Sequence, residues 1–204
     1  AVLDVIGSGQ QGYADESFDQ AQFTRPNGLA LKNGLLYIAD TGNHAVRSVD
    51  FDTRTVRTLA GTGYMGIGIM TYGTKIREPR AFDLRSPWDV AAGAGDTLFI
   101  AMAGTHQIAE VNVQGRVMRV SVGNGREALH NDTLGTSELA QPSGLYFNDG
   151  LLYFADSASS SISVADFTNN IVRTLAGPIE NNLFAFGDAG GQIGTSRLQH
   201  PLGI

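Results

Sequence analysis

The chain has 204 residues and no cysteine, which excludes disulfides, zinc–thiolate sites and thiol catalysis from these residues. Basic residues are also few, with 14 Lys and Arg against 20 Asp and Glu and a net charge of −6. Because non-specific nucleic-acid binding depends on phosphate neutralisation, this balance argues against a nucleic-acid partner. No apolar run approaches the roughly 18 residues of a membrane helix, and no signal peptide is present. We expect a soluble chain without membrane contact, and its compartment stays unknown.

What the sequence does contain is one pattern repeated three times, over residues 23–61, 84–123 and 139–177. Each copy runs from a Pro to a Gly through an apolar run in its first half. The Pro residues are Pro26, Pro87 and Pro142, and the runs are 35–39, 98–101 and 151–155. Such a period is typical of a solenoid or a propeller.

The first copy divides into four short strands separated by turn residues, which are predicted at 28–31, 35–39, 45–50 and 55–59. A lone four-stranded meander cannot bury both faces, so copies should stack radially as blades of a β-propeller, with the Pro-x-Gly strand innermost. The sequence therefore predicts an all-β fold with three complete blades and partial blades at both ends. The boundaries are 1–9 for the last strand of a preceding blade, 23–63, 84–125 and 139–178 for the blades, and 198–204 for the first strand of a following blade.

Three blades do not close a ring, and open blade edges would be adhesive. Two solutions are open, and the first is favoured because both ends fall within a repeat. Either the chain is part of a longer protein, or copies of the chain associate to complete one another.

Two glycine-rich segments, 7–12 and 61–66, match the G-x-G-x-x-G pattern of dinucleotide sites. That site needs a helix directly after the glycines, and residues 67–73 are poor helix formers. The segments also recur at one phase of the repeat, so we interpret them as turns that leave a blade. No cofactor is expected.

Three positions are assigned structural roles in the repeat: Asp40, His44 and Asp156. The two aspartates end the second strand of their copies and can accept hydrogen bonds from the turn that follows. His44 shares its turn position with His106, which raises the alternative of a shared metal. A blade width should separate the two rings, so hydrogen bonding to the next blade is favoured and no metal site is assigned.

The candidate ligand-binding residues are Trp88, Asp89, His106 and Gln107. An aromatic side chain with polar groups nearby suits a pocket, whereas packing of Trp88 between blades is the alternative. The signatures of the common hydrolases, G-x-S-x-G and H-E-x-x-H, are absent, and we assign no catalytic residue.

The block 39–47 resembles the NHL repeat in general, and more specific blocks lie at 86–90, 100–108, 141–145, 182–188 and 198–203. The chain is similar to NHL-repeat β-propellers, and in particular to the propeller of the thioredoxin-fused NHL-repeat proteins. That resemblance implies a six-bladed ring, of which this chain supplies about half. It also implies a thioredoxin-like domain that lies outside these residues.

We expect a non-catalytic propeller segment that acts as a platform for a protein or a small-molecule ligand. The alternative is part of an enzyme. The resemblance allows either an oxidoreductase whose redox domain is absent here, or a metal-assisted lyase or hydrolase. RNA binding, known for some NHL domains, is disfavoured by the acidic charge.

Overall fold

The computed structural model describes residue 2 and residues 4–114, 116–178 and 182–204. In this described part, twelve strands form three four-stranded antiparallel sheets, each in sequential order. The strands are β1 Pro26–Lys32, β2 Leu35–Asp40, β3 Ala45–Asp50, β4 Thr55–Ala60, β5 Pro87–Ala92, β6 Thr97–Met102, β7 Gln107–Asn112, β8 Val117–Val122, β9 Pro142–Asn148, β10 Leu151–Asp156, β11 Ser161–Asp166 and β12 Ile171–Ala176. The predicted all-β fold with three complete blades is confirmed. No helix in the described ranges has the length and apolarity to cross a membrane.

The residues of the two-residue turns determine the geometry of the hairpins. Asn33-Gly34 joins β1 to β2, and both residues have positive φ, 51° and 78°. Asp149-Gly150 does the same between β9 and β10, with φ of 46° and 81°. Two-residue loops with both φ positive match the right-handed twist of the flanking strands, which is why Asn-Gly and Asp-Gly are favoured there.

The strands that begin at the repeat's proline are the innermost strands, as predicted, because β5 packs against β1 on one side and against β9 on the other. At Gly28 a side chain is excluded, because a Cβ there would lie 2.5 Å from Cα of Asp89. A Cβ on Gly144 would likewise lie 2.7 Å from Cα of Gly203. At Gly28 and Gly144 the neighbouring backbone therefore approaches to a distance that only glycine permits.

Apolar side chains fill the spaces between blades. Between the second and third blades, the ring of Phe99 lies 5.3 Å from the rings of both Phe147 and Phe167. Between the first and second blades, Tyr37, Leu98 and Ile100 belong to one buried cluster. Each fully buried side chain of this size contributes about 1.5–3 kcal/mol, so these layers hold the blades together.

The segment that precedes each blade covers the outermost strand of that blade. The backbone N–H of Val56 on β4 donates to Glu16, that of Met118 on β8 to Ile76, and that of Val172 on β12 to Asp132. Each bond joins an outer strand to the connection that precedes its blade. An exposed strand edge is a template for aggregation, so the connections protect the rim of the propeller.

The terminal segments are described only in part, because residues 1 and 3 lie outside the described residues. Residues 4–9 and 198–204 carry no strand assignment. The hydroxyl of Ser143 nevertheless donates to the carbonyl of Pro201 at 3.1 Å, beside the contact of Gly144 with Gly203. The partial blades at both ends, and what completes the ring, stay predictions.

Candidate ligand-binding face around Trp88

One end of the propeller is formed by the tight turns between the second and third strands of each blade. In the first two blades these turns are single 3₁₀ turns, Thr41–Asn43 and Ala103–Thr105. The histidine that follows each turn has a left-handed backbone, with φ of 48° for His44 and 55° for His106. This backbone directs each histidine toward the start of the next blade.

Each turn is bonded to the following blade through one side-chain acceptor. Nδ1 of His44 accepts the backbone N–H of Ser86 at 3.1 Å, and Nδ1 of His106 accepts that of Gln141 at 3.3 Å. In the third blade the hydroxyl of Ser160 accepts from the backbone of His200 at 3.4 Å. A neutral ring that accepts at Nδ1 carries its proton on Nε2. Each histidine therefore keeps an N–H donor for other partners.

The surroundings favour the neutral form of both histidines. Burial lowers the pKa of His44, and the guanidinium groups of Arg25 and Arg85 lower it further. Burial also lowers the pKa of His106, which Glu127 opposes and Arg85 reinforces. Among the described residues, no group of three potential metal ligands is assembled.

Trp88 stands between two clefts on this face and contributes to the wall of both. The first cleft, of 350 Å³, is lined by Arg25, Pro26, Asn27, Thr41, His44, Ser86 and Trp88. The second, of 270 Å³, is lined by Arg85, Ser86, Trp88, Ala103, Gly104, His106, Glu127 and Gln141. The structure thus brings the predicted candidates Trp88 and His106 to one face.

Asp89 lies apart from both clefts, although it follows Trp88 in the sequence. Its Oδ2 accepts the backbone N–H of Leu145 at 2.7 Å, and its Oδ1 accepts that of Val90 at 2.8 Å. Burial raises the pKa of the Asp89 carboxyl, which these two hydrogen bonds oppose. Asp89 therefore bonds the innermost strand of the second blade to that of the third.

The prediction that Gln107 binds a ligand is wrong. Its side chain is fully buried, and its Nε2 donates to the carbonyls of Met70, at 2.8 Å, and Gly123, at 3.2 Å. Its Oε1 accepts the backbone N–H of Met70 at 3.1 Å. With both donors and the acceptor used inside the protein, no polar atom of Gln107 faces a ligand.

The two repeat aspartates accept hydrogen bonds from the segment before the innermost strand. The carboxylate of Asp40 accepts the backbone N–H of Thr24 at 2.7 Å, and that of Asp156 accepts the backbone N–H of Ala140 at 2.8 Å. The turn contributes only side chains, the Asn43 amide at 2.8 Å and the Ser159 hydroxyl at 2.7 Å. Full burial raises the pKa of Asp156 to about 7.

Comparison with known proteins identifies the family. The sequence profile of the NHL repeat matches residues 23–47. The chain is 44% identical over 214 residues to the protein SUPPRESSOR OF QUENCHING 1, chloroplastic, of Arabidopsis thaliana, covering 100% of this chain and 20% of that protein. It is 35% identical over 228 residues to NHL repeat-containing protein 2 of Gallus gallus, covering 100% of this chain and 31% of that protein. The chain belongs to the NHL-repeat β-propellers.

These relatives confirm the resemblance to the thioredoxin-fused NHL-repeat proteins. Human NHL repeat-containing protein 2 gives a similar match, with 34% identity over 98% of this chain and 30% of the relative. This NHL propeller segment therefore spans a fifth to under a third of the length of these relatives.

Solved structures agree on the fold. An auxiliary nutrient binding protein of Bacteroides ovatus matches with a TM-score of 0.66 at 16% identity, over 99% of this chain and 50% of that one. A chain of a nidogen/laminin complex matches with a TM-score of 0.55 at 19% identity, over 80% of this chain and 51% of that one. At such identities the likeness concerns the propeller architecture alone.

The NHL-matched segment ends at Arg47, which is not among the predicted site residues. Arg47 is fully buried, and its guanidinium bonds to Asp15 at 2.7 Å and to Asp40 at 3.0 Å. It also lies over the rings of Tyr13, at 5.0 Å, and Phe23, at 5.1 Å. The sequence does contain a signal for this role, because Arg47 differs from the residues at the same position of the other two copies.

The other two blades have small residues at the position of Arg47, namely Ala109 and Ser163. The second blade also replaces the aspartate by Met102. A charged residue at a strand position where the other copies are small and uncharged indicates a special partner, and here the partners are the carboxylates of Asp15 and Asp40.

Proposed function

We propose that this NHL propeller segment is a non-catalytic platform that binds a protein or small-molecule ligand on the Trp88 face. The observation that supports the proposal is the position of Trp88, half-buried between two clefts with no aromatic or cation–π partner among the described residues. An aromatic wall beside a few convergent polar groups is the usual composition of a ligand pocket. A tryptophan that only packed between blades would present little surface to a cleft.

The polar groups around Trp88 support recognition rather than chemistry. The Nδ1 atoms of His44 and His106 are occupied by backbone N–H groups, so neither ring is free to act there as a base. Each ring offers an N–H donor at Nε2. Donors beside an apolar wall can orient a ligand without transforming it.

The test uses four small probes, namely benzoate, benzamide, benzylamine and indole, observed by saturation-transfer NMR with the purified chain. We expect at least one probe to bind, and Trp88→Phe to weaken its binding without lowering the melting temperature. Tyr64→Ala, which removes an exposed aromatic residue outside both clefts, is the matched control and should leave binding unchanged.

Two outcomes would overturn the proposal. One is the absence of binding by all four probes. The other is a large loss of stability in Trp88→Phe, since that would make Trp88 a packing residue between blades.

A further inference from the structure

We infer that the first cleft takes a small organic carboxylate with a flat apolar body, bound by Arg25 with the body against Trp88. The inference rests on the proposed function and makes it specific. It is carried by the charge and the hydrogen-bonding state of the residues that line this cleft.

The first cleft has a cation and no acid. The chain carries 20 acidic residues against 14 basic ones, yet none of the seven lining residues is Asp or Glu. Arg25 is exposed and, within the described part of the chain, has neither an ion pair nor a hydrogen bond. An unpaired guanidinium in a cleft without carboxylates favours a ligand that brings its own negative charge.

Three further polar groups of the cleft can donate a hydrogen bond and have no partner for it among the described residues. The side chains of Asn27 and Ser86 make no hydrogen bond to any described residue, and Nε2 of His44 carries the proton that Nδ1 lacks. Thr41 differs, because its hydroxyl already donates to the carbonyl of Pro87 at 2.6 Å. Three donor groups thus remain beside Arg25, and an acceptor-rich anion satisfies them.

A carboxylate fits this set better than a phosphate does. The lining residues supply one formal positive charge, that of Arg25, because His44 accepts a backbone N–H and is neutral in that state. One planar guanidinium matches one carboxylate in a two-point hydrogen bond, whereas phosphate groups carry more charge than a single arginine neutralises. The volume of 350 Å³ lies in the range of small-molecule pockets, and the face of Trp88 suits a flat apolar group.

The experiment compares benzoate with its neutral analogue benzamide by titration in NMR. We expect benzoate to bind roughly tenfold more tightly, as a charge-assisted hydrogen-bonded pair allows. Arg25→Gln should reduce benzoate to the affinity of benzamide and leave benzamide unchanged. Arg77→Gln is the control, because it removes the same charge from an exposed arginine outside both clefts.

The possible failures are distinguishable. Equal binding of benzoate and benzamide, both lost in Trp88→Ala, would overturn this inference and leave the proposed function standing. If Arg25→Gln and Arg77→Gln weaken benzoate binding equally, the net charge of the chain explains the effect, and the inference is overturned. Inorganic phosphate that displaces benzoate at equal concentration would overturn the preference for a carboxylate. Failure of every probe would remove the proposed function itself. Melting temperatures of all variants establish that each is folded.

Discussion

Nδ1 of His44 lies 3.1 Å from the backbone nitrogen of Ser86 and accepts its hydrogen, which bonds the turn of the first blade to the start of the second. The same contact recurs at His106 and Gln141, and with a serine hydroxyl at Ser160. The repeat thus requires an acceptor at this position, and it tolerates different chemical groups there. The blades are joined by hydrogen bonds at their turns as well as by their apolar faces.

Replacing His44 by Ala is expected to destabilise the chain by about 1–3 kcal/mol, because the partly buried N–H of Ser86 loses its partner. His44→Asn is the matched control. The Oδ1 of asparagine can replace Nδ1, and asparagine tolerates the positive φ of this position. Urea unfolding measures both variants. Equal midpoints for alanine and asparagine would contradict the role of the hydrogen bond.

The two histidines also predict how stability changes in mild acid. Burial, with Arg25 and Arg85 in addition, lowers the pKa of His44, and burial lowers that of His106. The unfolded chain therefore binds protons more readily than the folded one below the ordinary histidine pKa of about 6.5. Their contribution to stability is present above that pH and is lost as the pH falls through the lower, folded pKa values.

The measurement is the free energy of unfolding at pH 7.5 and pH 5.5, for the wild type and for the double variant His44→Asn/His106→Asn. The wild type should lose more stability on acidification than the double variant does. The remaining titratable groups are common to both proteins and cancel in the comparison. An identical pH dependence would rule out the two rings as its source.

The buried Arg47 gives a prediction about charge compensation. Arg47→Ala should cost about 3–5 kcal/mol, because it leaves the buried carboxylate of Asp40 without its cation. The double variant Asp40→Met/Arg47→Ala copies the pair that the second blade uses at these positions, Met102 and Ala109. It should lose less than the single variant, as measured by urea unfolding. A double variant that is no more stable than Arg47→Ala would contradict this account.

Much of the fold was predictable because its signals are local. In the first blade the expected strands 35–39, 45–50 and 55–59 differ from the observed ones by at most one residue. Residues that alternate or run apolar, bounded by Asn-Gly turns, carry this information within six or seven positions. Because the chain contains three copies of this four-stranded unit, radial stacking was the predicted way to bury both faces of each sheet.

The candidate site was harder to predict, because its contacts join distant parts of the chain. Gln107 occupies a turn-side position that resembles a ligand residue in the sequence, but its partner Met70 lies 37 residues earlier in a connection without a repeat signal. The first cleft combines Arg25 and His44 of one blade with Trp88 of the next. A repeat pattern gives the position of each residue within its blade. It does not give the residues of the adjacent blade that lie opposite.

Asp156 provides a test in which stability changes with pH in the opposite direction. Full burial raises the pKa of its carboxyl to about 7. Asp156 has no counterpart of the Arg47 that pairs with Asp40, because the third blade has Ser163 at that position. The folded chain therefore holds this proton more tightly than the unfolded chain does. The contribution to stability is complete below the ordinary pKa of 3.8 and is lost as the pH rises through about 7.

Asp156→Asn should remove this loss, because asparagine keeps an acceptor for Ala140 and never ionises. A pKa of about 7 instead of 3.8 corresponds to on the order of 4 kcal/mol above neutral pH, which is the upper limit of the gain. We expect the variant to exceed the wild type in unfolding free energy at pH 8 and not at pH 4. Asp149→Asn, an exposed change in the same blade, is the control and should follow the wild type at both values. If Asp156→Asn is less stable than the wild type at pH 8, the carboxylate is compensated in the folded protein, and burial does not govern its ionisation.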